Sequence, residues 1–290
     1  MTILLTGCTG FLGSYLLKSF VDLGYKVIGL KRSTSNSYRI EHYLNDVFFY
    51  DIDKIELSKV FDEHVIDVVV NTVTDYGRKD TEITSIVSTN LLFCLKLLQE
   101  SVNNNIKAFI NADTFLDRNI NSYALSKAQL VDWMRFLSSN HTKMINIKIE
   151  HMYGLLDDEN KFIYWLINQL KQNVVKVDLT SGIQKRDFIY IDDIVTSYQV
   201  IINNINKLSI FEEFELGTGS SIEVKEFINK IYAELSKNQD LTTKLNFGIV
   251  PYRDNENMNM RVNIKKLQQL KWKPEVTIEN GIRKILNEKG

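Results

Sequence analysis

The stretch TILLTGCTGFLGSYLLKSFVDLG, residues 2 to 24, decides the fold class. Its first part, TILLTG, is a short apolar run closed by glycine, which suits a buried strand. From Phe11 onward apolar residues recur at helical spacing until Gly24 ends the pattern. Between the two lie Gly7, Gly10 and Gly13, spaced three apart. A strand that passes through such a loop into a helix is the context of a dinucleotide site. One glycine permits the tight turn, one lets the backbone approach a pyrophosphate, and one lets the helix pack close to the strand. The helix N-terminus then offers amide groups and the positive end of its dipole to phosphates. The candidate contacts are Gly7, Thr9, Gly10, Phe11, Leu12 and Gly13. The plain alternative is a glycine-rich turn with no ligand.

Strand and helix signals continue to alternate outward from this stretch. KVIGLKR, VFFYDI, VIDVVVNTV, IKAFINADT and MINIKIEHMYG read as strands, while ITSIVSTNLLFCLKLLQESV and YALSKAQLVDWMRFLSS read as helices. Such alternation gives a doubly wound parallel sheet of the Rossmann type. After Gly154 the rhythm breaks into a helix, short mixed pieces, and a segment, RDFIYIDDIVTSYQVIINNI, that could return to the main sheet. The expected organisation is α/β: residues 1–154 with about 186–206 as the dinucleotide-binding domain, and residues 155–185 with about 207–290 as a smaller mixed α/β substrate-binding domain.

The bulk numbers narrow the partners. The chain has 290 residues, 44% hydrophobic and 24% charged, with a net charge of −1. No overall field favours nucleic acid or an anionic membrane. Its two cysteines, Cys8 and Cys94, form no metal-ligand spacing, so neither zinc nor a disulfide framework is expected, which suits a reducing cytosol. MTILLTGCTG goes straight into a strand rather than a signal peptide, and no apolar run is long enough to span a membrane. A cytoplasmic protein is expected.

In INSYALSKAQL, residues 120 to 130, Tyr123 stands four positions before Lys127 and on the same helical face. Alone, that pair reads as a solvated surface. With the glycine loop it resembles the short-chain dehydrogenase/reductase superfamily, in its extended branch acting on nucleotide-sugars (the NAD-dependent epimerase/dehydratase family), over nearly the whole chain. The resemblance implies that Tyr123 passes a proton to or from the sugar oxygen. Lys127 would hold the nicotinamide ribose and lower the tyrosine pKa. Thr114, at the end of AFINADT, would hydrogen-bond the reacting oxygen. It also implies Asp51 and Ile52 near the adenine, and NTVT (Asn71, Thr72, Val73, Thr74) along the ribose and nicotinamide, with Asn90 supporting the site. Asn71 and Asn90 could equally cap or bridge backbone.

At the end of the second strand, where an acid would bind the ribose of NAD, stand Lys31 and Arg32. Cations there welcome a 2′-phosphate, so NADPH is expected over NADH. Solvated loop cations are the plain alternative.

The dehydratases of the resembled branch carry Asp-Glu after the threonine. Here Phe115 and Leu116 stand there, and neither can do acid–base work. Asp113, just before Thr114, is expected to point away by strand alternation. IEHMYG, QKRDFIYIDD, GTGSSIEVKEF, YRDNENM, LKWKP and TDYG are most similar to the CDP-linked 4-keto-3,6-dideoxyhexose reductases of O-antigen (lipopolysaccharide) sugar synthesis. YGLLDD departs from the Tyr-Gly-Pro usual in the wider branch. That likeness implies Arg186 and Arg253 on the substrate pyrophosphate, assisted by Lys161, with Phe162 near the base. Glu150 and His151 would line nicotinamide and sugar, and Tyr76 and Gly77 the sugar. Asp192 and Asp193 read equally as the cap of a following helix. The expected activity is NADPH-dependent reduction of a CDP-4-keto sugar by a homodimer. A nucleotide-sugar 4-epimerase with tightly bound NAD, or a non-catalytic dinucleotide sensor, are the rivals.

Overall fold

A computed structural model of the chain describes residues 1–78, 81–139, 141–253 and 256–287. Along the chain, β1 (Thr2–Thr6), α1 (Phe11–Asp22), β2 (Lys26–Lys31), β3 (Phe48–Asp51), α2 (Leu57–Glu63) and β4 (Val68–Asn71) come first. Then follow α3 (Ile83–Val87), α4 (Cys94–Asn103), β5 (Ala108–Thr114), α5 (Ser122–Leu137), β6 (Lys143–Ile149) and β7 (His151–Tyr153). The later elements are α6 (Phe162–Lys171), β8 (Lys176–Leu179), β9 (Lys185–Arg186), β10 (Phe188–Tyr190), α7 (Ile191–Asn203) and β11 (Phe211–Leu216). The last are β12 (Ile222–Glu223), α8 (Val224–Leu235), β13 (Lys244–Phe247), α9 (Lys265–Gln269) and α10 (Ile278–Asn287).

Seven strands form a parallel sheet in the order β11-β6-β5-β4-β1-β2-β3. The order reverses between β1 and β4, the switch point at which doubly wound sheets bind ligands beyond their strand ends. Central strands are apolar on both faces, as a doubly covered sheet requires: Ile3, Leu4, Leu5, Val68, Val69 and Val70 are all fully buried.

By internal packing the chain divides into two compact units. One comprises Met1–Ile149 and Tyr198–Phe214, the other Glu150–Ser197 and Glu215–Gly290. The sequence reading set its first boundary at 154 rather than 149 and assigned about 186–206, rather than 198–214, to the first unit. RDFIY does not return to the main sheet. Instead β10 pairs in parallel with β7, Phe188 opposite His151. The strand that does return is β11, beside β6, with the Met144 amide donating to the Ile210 carbonyl at 2.8 Å. A three-residue apolar strand carries too little pattern to choose its sheet. The second unit holds three two-stranded pairs, β10-β7, β12-β9 and β13-β8, with α6 and α8. Its core stacks Phe188 on Phe227 at 3.8 Å between ring centroids.

A row of side-chain amides crosses the main sheet. The Thr6 hydroxyl donates to Asn71 Oδ1 at 2.7 Å, and Asn71 Nδ2 donates to Asn111 Oδ1 at 3.0 Å. Asn111 Nδ2 then donates to Asn146 Oδ1 at 3.0 Å. These residues stand directly opposite one another in the strand register. The row ends on carboxylates, with Asn146 Nδ2 donating to Asp113 at 2.8 Å and Glu213 at 3.1 Å. Asn71, Asn111 and Asn146 are fully buried, so each amide depends on its neighbours for hydrogen bonds.

Candidate active site

The glycine loop has the shape its residues predict. Gly7 has φ +63°, and a Cβ there would lie 2.8 Å from Thr72 Oγ1. At Gly13 an added Cβ would sit 2.1 Å from the Gly7 carbonyl oxygen, so the helix can approach the strand only with glycine there. Gly10 caps α1 and offers no side chain to its first amides, which leaves them to solvent or an anion. The Thr6 hydroxyl accepts from the Thr72 and Val73 amides at 3.1 and 3.3 Å, tying the loop after β4 beside the glycine loop. Cys8, inside the loop, is buried and its thiol is pushed up to about 12 by desolvation, which makes it inert. The residues present therefore fit a dinucleotide's pyrophosphate.

The cations after β2 are arranged differently from expectation. Lys31 stands opposite Asp51 in register and donates to its carboxylate at 2.5 Å. Asp51 thus neutralises one of the two positive charges expected to meet a 2′-phosphate. Arg32 remains exposed, without an ion pair among the described residues. Ile52 follows, its amide on the Lys31 carbonyl at 2.9 Å. Sequence reasoning overlooked Arg39, whose guanidinium donates to the Thr9 carbonyl of the glycine loop at 3.4 Å.

Helix α5 is capped by Asn121, whose Oδ1 accepts from the Ala124 amide at 2.8 Å. That cap fixes the first turn, which carries Tyr123. Both functional side chains of α5 reach the end of β5. The Tyr123 phenol lies near Thr114, whose side chain opposes the upward pull of burial on it, and Lys127 Nζ donates to the Ala112 carbonyl at 2.8 Å. Thr114, Tyr123 and Lys127 are therefore brought together.

The electrostatics depart from the sequence expectation. Burial pushes the Tyr123 phenol well above the ordinary tyrosine range; nearby Tyr76 adds to this, Thr114 opposes it without reversing it, and Asp113 adds a little more. Lys127 is not among the groups acting on it. Burial also pulls Lys127 down, against the opposing influence of Cys94 and Asp113. Asp113 is directed into the amide row, yet its charge still bears on both side chains.

Asn71 is buried in the amide row. Asn90 lies where the run from α3 to α4 widens into a π-type turn, Ser88–Phe93, a feature common at functional sites. Its carboxamide accepts from the Asp75 amide at 2.7 Å and donates to the Asp75 carbonyl at 2.8 Å. It thus shapes the loop that runs from Thr72 and Thr74 to Tyr76 and Gly77. The Tyr76 ring lies 5.3 Å from that of Tyr123, and the Arg78 guanidinium lies 5.0 Å over the Tyr76 ring.

The second unit holds the remaining candidates. Glu150 Oε1 lies 2.8 Å from His151 Nδ1; a carboxylate can only accept, so Nδ1 carries the proton. Arg186 is buried, and its fork is already filled, donating to the carbonyls of Lys185 (2.7 Å) and Asn257 (2.6 Å) and to the Glu256 carboxylate. Lys161, at the start of α6, pairs with Asp157 at 2.7 Å. Phe162 and Arg253 are exposed, while Asp254 and Asn255 of YRDNENM lie outside the described residues. Asp192 does not cap α7. Asp193, in its first turn, accepts the Glu275 and Val276 amides at 2.9 and 3.0 Å, and Asp192 pairs with Lys284.

The NAD dependent epimerase/dehydratase family matches residues 3–217. CDP-abequose synthase from Salmonella muenchen is 35% identical, over 99% of this chain and 97% of that protein. The protein of the same name from Salmonella typhimurium is 29% identical, over 98% and 97%. Among solved structures, UDP-glucose 4-epimerase from Thermotoga maritima matches with a TM-score of 0.81 at 20% identity, over 99% of this chain and 98% of that one. Likeness at that identity speaks to the fold alone.

Proposed function

Since the chain belongs to the NAD dependent epimerase/dehydratase family, we propose that it is an NADPH-dependent reductase of a CDP-linked 4-keto-6-deoxy or 4-keto-3,6-dideoxy hexose, as in abequose or paratose formation for O-antigen. The observation that carries this reading is the 35% identity to CDP-abequose synthase across 99% of the chain. Enzymes of the type are nicotinamide-dependent sugar-nucleotide oxidoreductases.

The glycine loop, the α1 N-terminus, Asp51, Ile52, Thr72, Val73 and Thr74 would hold the dinucleotide, with Glu150 beside the nicotinamide. The reduced nicotinamide, when bound, supplies the hydride. Tyr123 gives its phenolic proton to the ketone oxygen as that oxygen gains charge. Thr114 donates to the same oxygen, and Lys127 holds the ribose. The phenol is protonated at neutral pH, as the proton donor in a reduction must be. An epimerase must begin by taking a proton from a hydroxyl.

Arg32 supports NADPH over NADH. In the second unit, Arg253, Lys161 and Arg186 would serve the pyrophosphate, Phe162 the base, and His151 the sugar, together with Tyr76 and Gly77. Arg186 can do so only once Glu256 yields its place. The exposed Leu125, Trp133 and Phe136 on α5 support a homodimer through that helix. No helix among the described residues is long and apolar enough to cross a membrane, and a cytoplasmic location fits the proposed substrate.

The pairing of Lys31 with Asp51 favours the rival reading, a 4-epimerase with retained NAD, because it removes one cation from the 2′-phosphate position. Incubation with NADPH and a panel of nucleotide 4-keto sugars separates the two. A reductase consumes one NADPH per product, whereas an epimerase interconverts sugars with no added reductant.

A further inference from the structure

Resting on that reductase reading, we propose that Tyr76 is a positioning residue for the reacting phenol, its ring packing on that of Tyr123 to fix the direction of the hydroxyl and keep water from it. The two rings lie 5.3 Å apart at an interplanar angle of 41°, a tilted contact at a separation where aromatic pairs attract. Arg78 sits over Tyr76 at 5.0 Å, a cation on the ring face that holds it in place.

One carboxamide links the backbones that carry the two rings. Asn90 clamps Asp75 through both amide and carbonyl, at 2.7 and 2.8 Å. Its Nδ2 also donates to Ser126 Oγ at 3.2 Å. Ser126 Oγ in turn donates to the Tyr123 carbonyl at 2.8 Å. Immediately after Tyr76 the chain turns at Gly77, with φ +64°, where a Cβ would lie 2.7 Å from Ile86 Cδ1. The loop is thus built to deliver a side chain onto Tyr123. A ring that served only as a wall for the sugar would need no tie to α5.

Among the described residues, the titratable and charged groups around the Tyr123 phenol are Tyr76 and Arg78 on this loop, Asp113 on β5 and Lys127 on its own helix. Of these, Tyr76 bears most on the phenol after burial itself, through the charge its own hydroxyl takes on ionising. Removing the Tyr76 ring opens the phenol to water and makes its ionisation easier.

The test compares the full chain with its Tyr76→Ala and Tyr76→Phe variants, folding being checked by circular dichroism. Tyrosinate formation is followed by ultraviolet difference titration, with Tyr123→Phe identifying the Tyr123 step. That step is expected only at the alkaline limit in the parent. In Tyr76→Ala it is expected lower by about one pH unit or more. Tyr76→Phe, which keeps the ring but loses that second phenolate, is expected to fall between the parent and Tyr76→Ala. With NADPH and a CDP-linked 4-keto sugar, kcat of Tyr76→Ala is expected to fall about tenfold, and its alkaline limb to move the same way, with any rise in KM for the sugar smaller than that fall. An unmoved titration step, or a raised KM with kcat and its pH profile unchanged, overturns the proposal. If the parent reduces no keto-sugar, the reductase reading fails on its own, and the titration still decides the role of Tyr76.

Discussion

Lys127 in the first unit and Arg186 in the second are both cut off from solvent, at 2% and 7% exposure, yet they are kept in opposite ways. Among the described residues Lys127 donates to one carbonyl, that of Ala112, and burial pulls its pKa down against the weaker pull of Cys94 and Asp113. Arg186 has two carbonyls and a carboxylate, that of Glu256, around its fork. A buried cation with one neutral acceptor is costly, because desolvation is offset by little. A buried cation with a bidentate-capable acid is satisfied before any ligand arrives. The first arrangement spends stability to keep an ammonium available. The second gains stability and makes an anionic ligand compete with a resident carboxylate.

Variants can break or sharpen that contrast. The largest expected effect is on chemistry beside Lys127: Tyr123→Phe should lower kcat by about a thousandfold or more, with NADPH binding, read by fluorescence titration, unchanged. Arg186→Met should act on the fold instead, lowering unfolding stability by about 3 kcal/mol in denaturant titration, because Glu256 is left without its cation. Adding Glu256→Gln should recover part of that loss. Lys127→Met should cut kcat about a hundredfold while leaving stability equal or higher; a large stability loss there would erase the distinction between the two cations.

Smaller effects test the flanks. Asp51→Asn releases Lys31 and should raise the kcat/KM preference for NADPH over NADH by several-fold, roughly what one phosphate contact contributes. Burial works against the charge of Glu213, but hydrogen bonds from Lys148 and Asn146 outweigh it and hold its pKa below the ordinary 4.5. A depressed carboxylate contributes stability above its unfolded pKa and loses it as pH falls through the folded value. Glu213→Gln should therefore flatten the loss of stability below about pH 4.5, measured by thermal melts across pH.

The first unit was largely readable because its demands are local. A glycine at φ +63° and a glycine facing a carbonyl at 2.1 Å are requirements written into a seven-residue loop. So is the spacing that carries Tyr123 and Lys127 to one strand end. What escaped reading depends on residues far apart in the chain. Glu256 lies 70 positions from Arg186, and nothing in QKRDF announces it. Asp51 and Lys31 each suited a separate role until strand register put them face to face. Asn111 and Asn146 looked like ordinary strand polars, although an asparagine at the same height in three neighbouring strands was a signal open to notice. RDFIY went to the wrong sheet because three apolar residues fit any of them.

The row of amides from Thr6 to Glu213 works as a ruler laid across the strands. Sliding β4, β5 or β6 by two residues would keep every apolar side chain on its proper face, so hydrophobic patterning cannot forbid that error. It would, however, strand several buried carboxamides at once. The height at which each strand stops is set by this mark: Thr72 comes one residue past it, just beyond the end of β4, and Thr114 three past it on β5. The gauge that rejects misassembled sheets while the chain folds is the same one that later delivers the threonine to its working height.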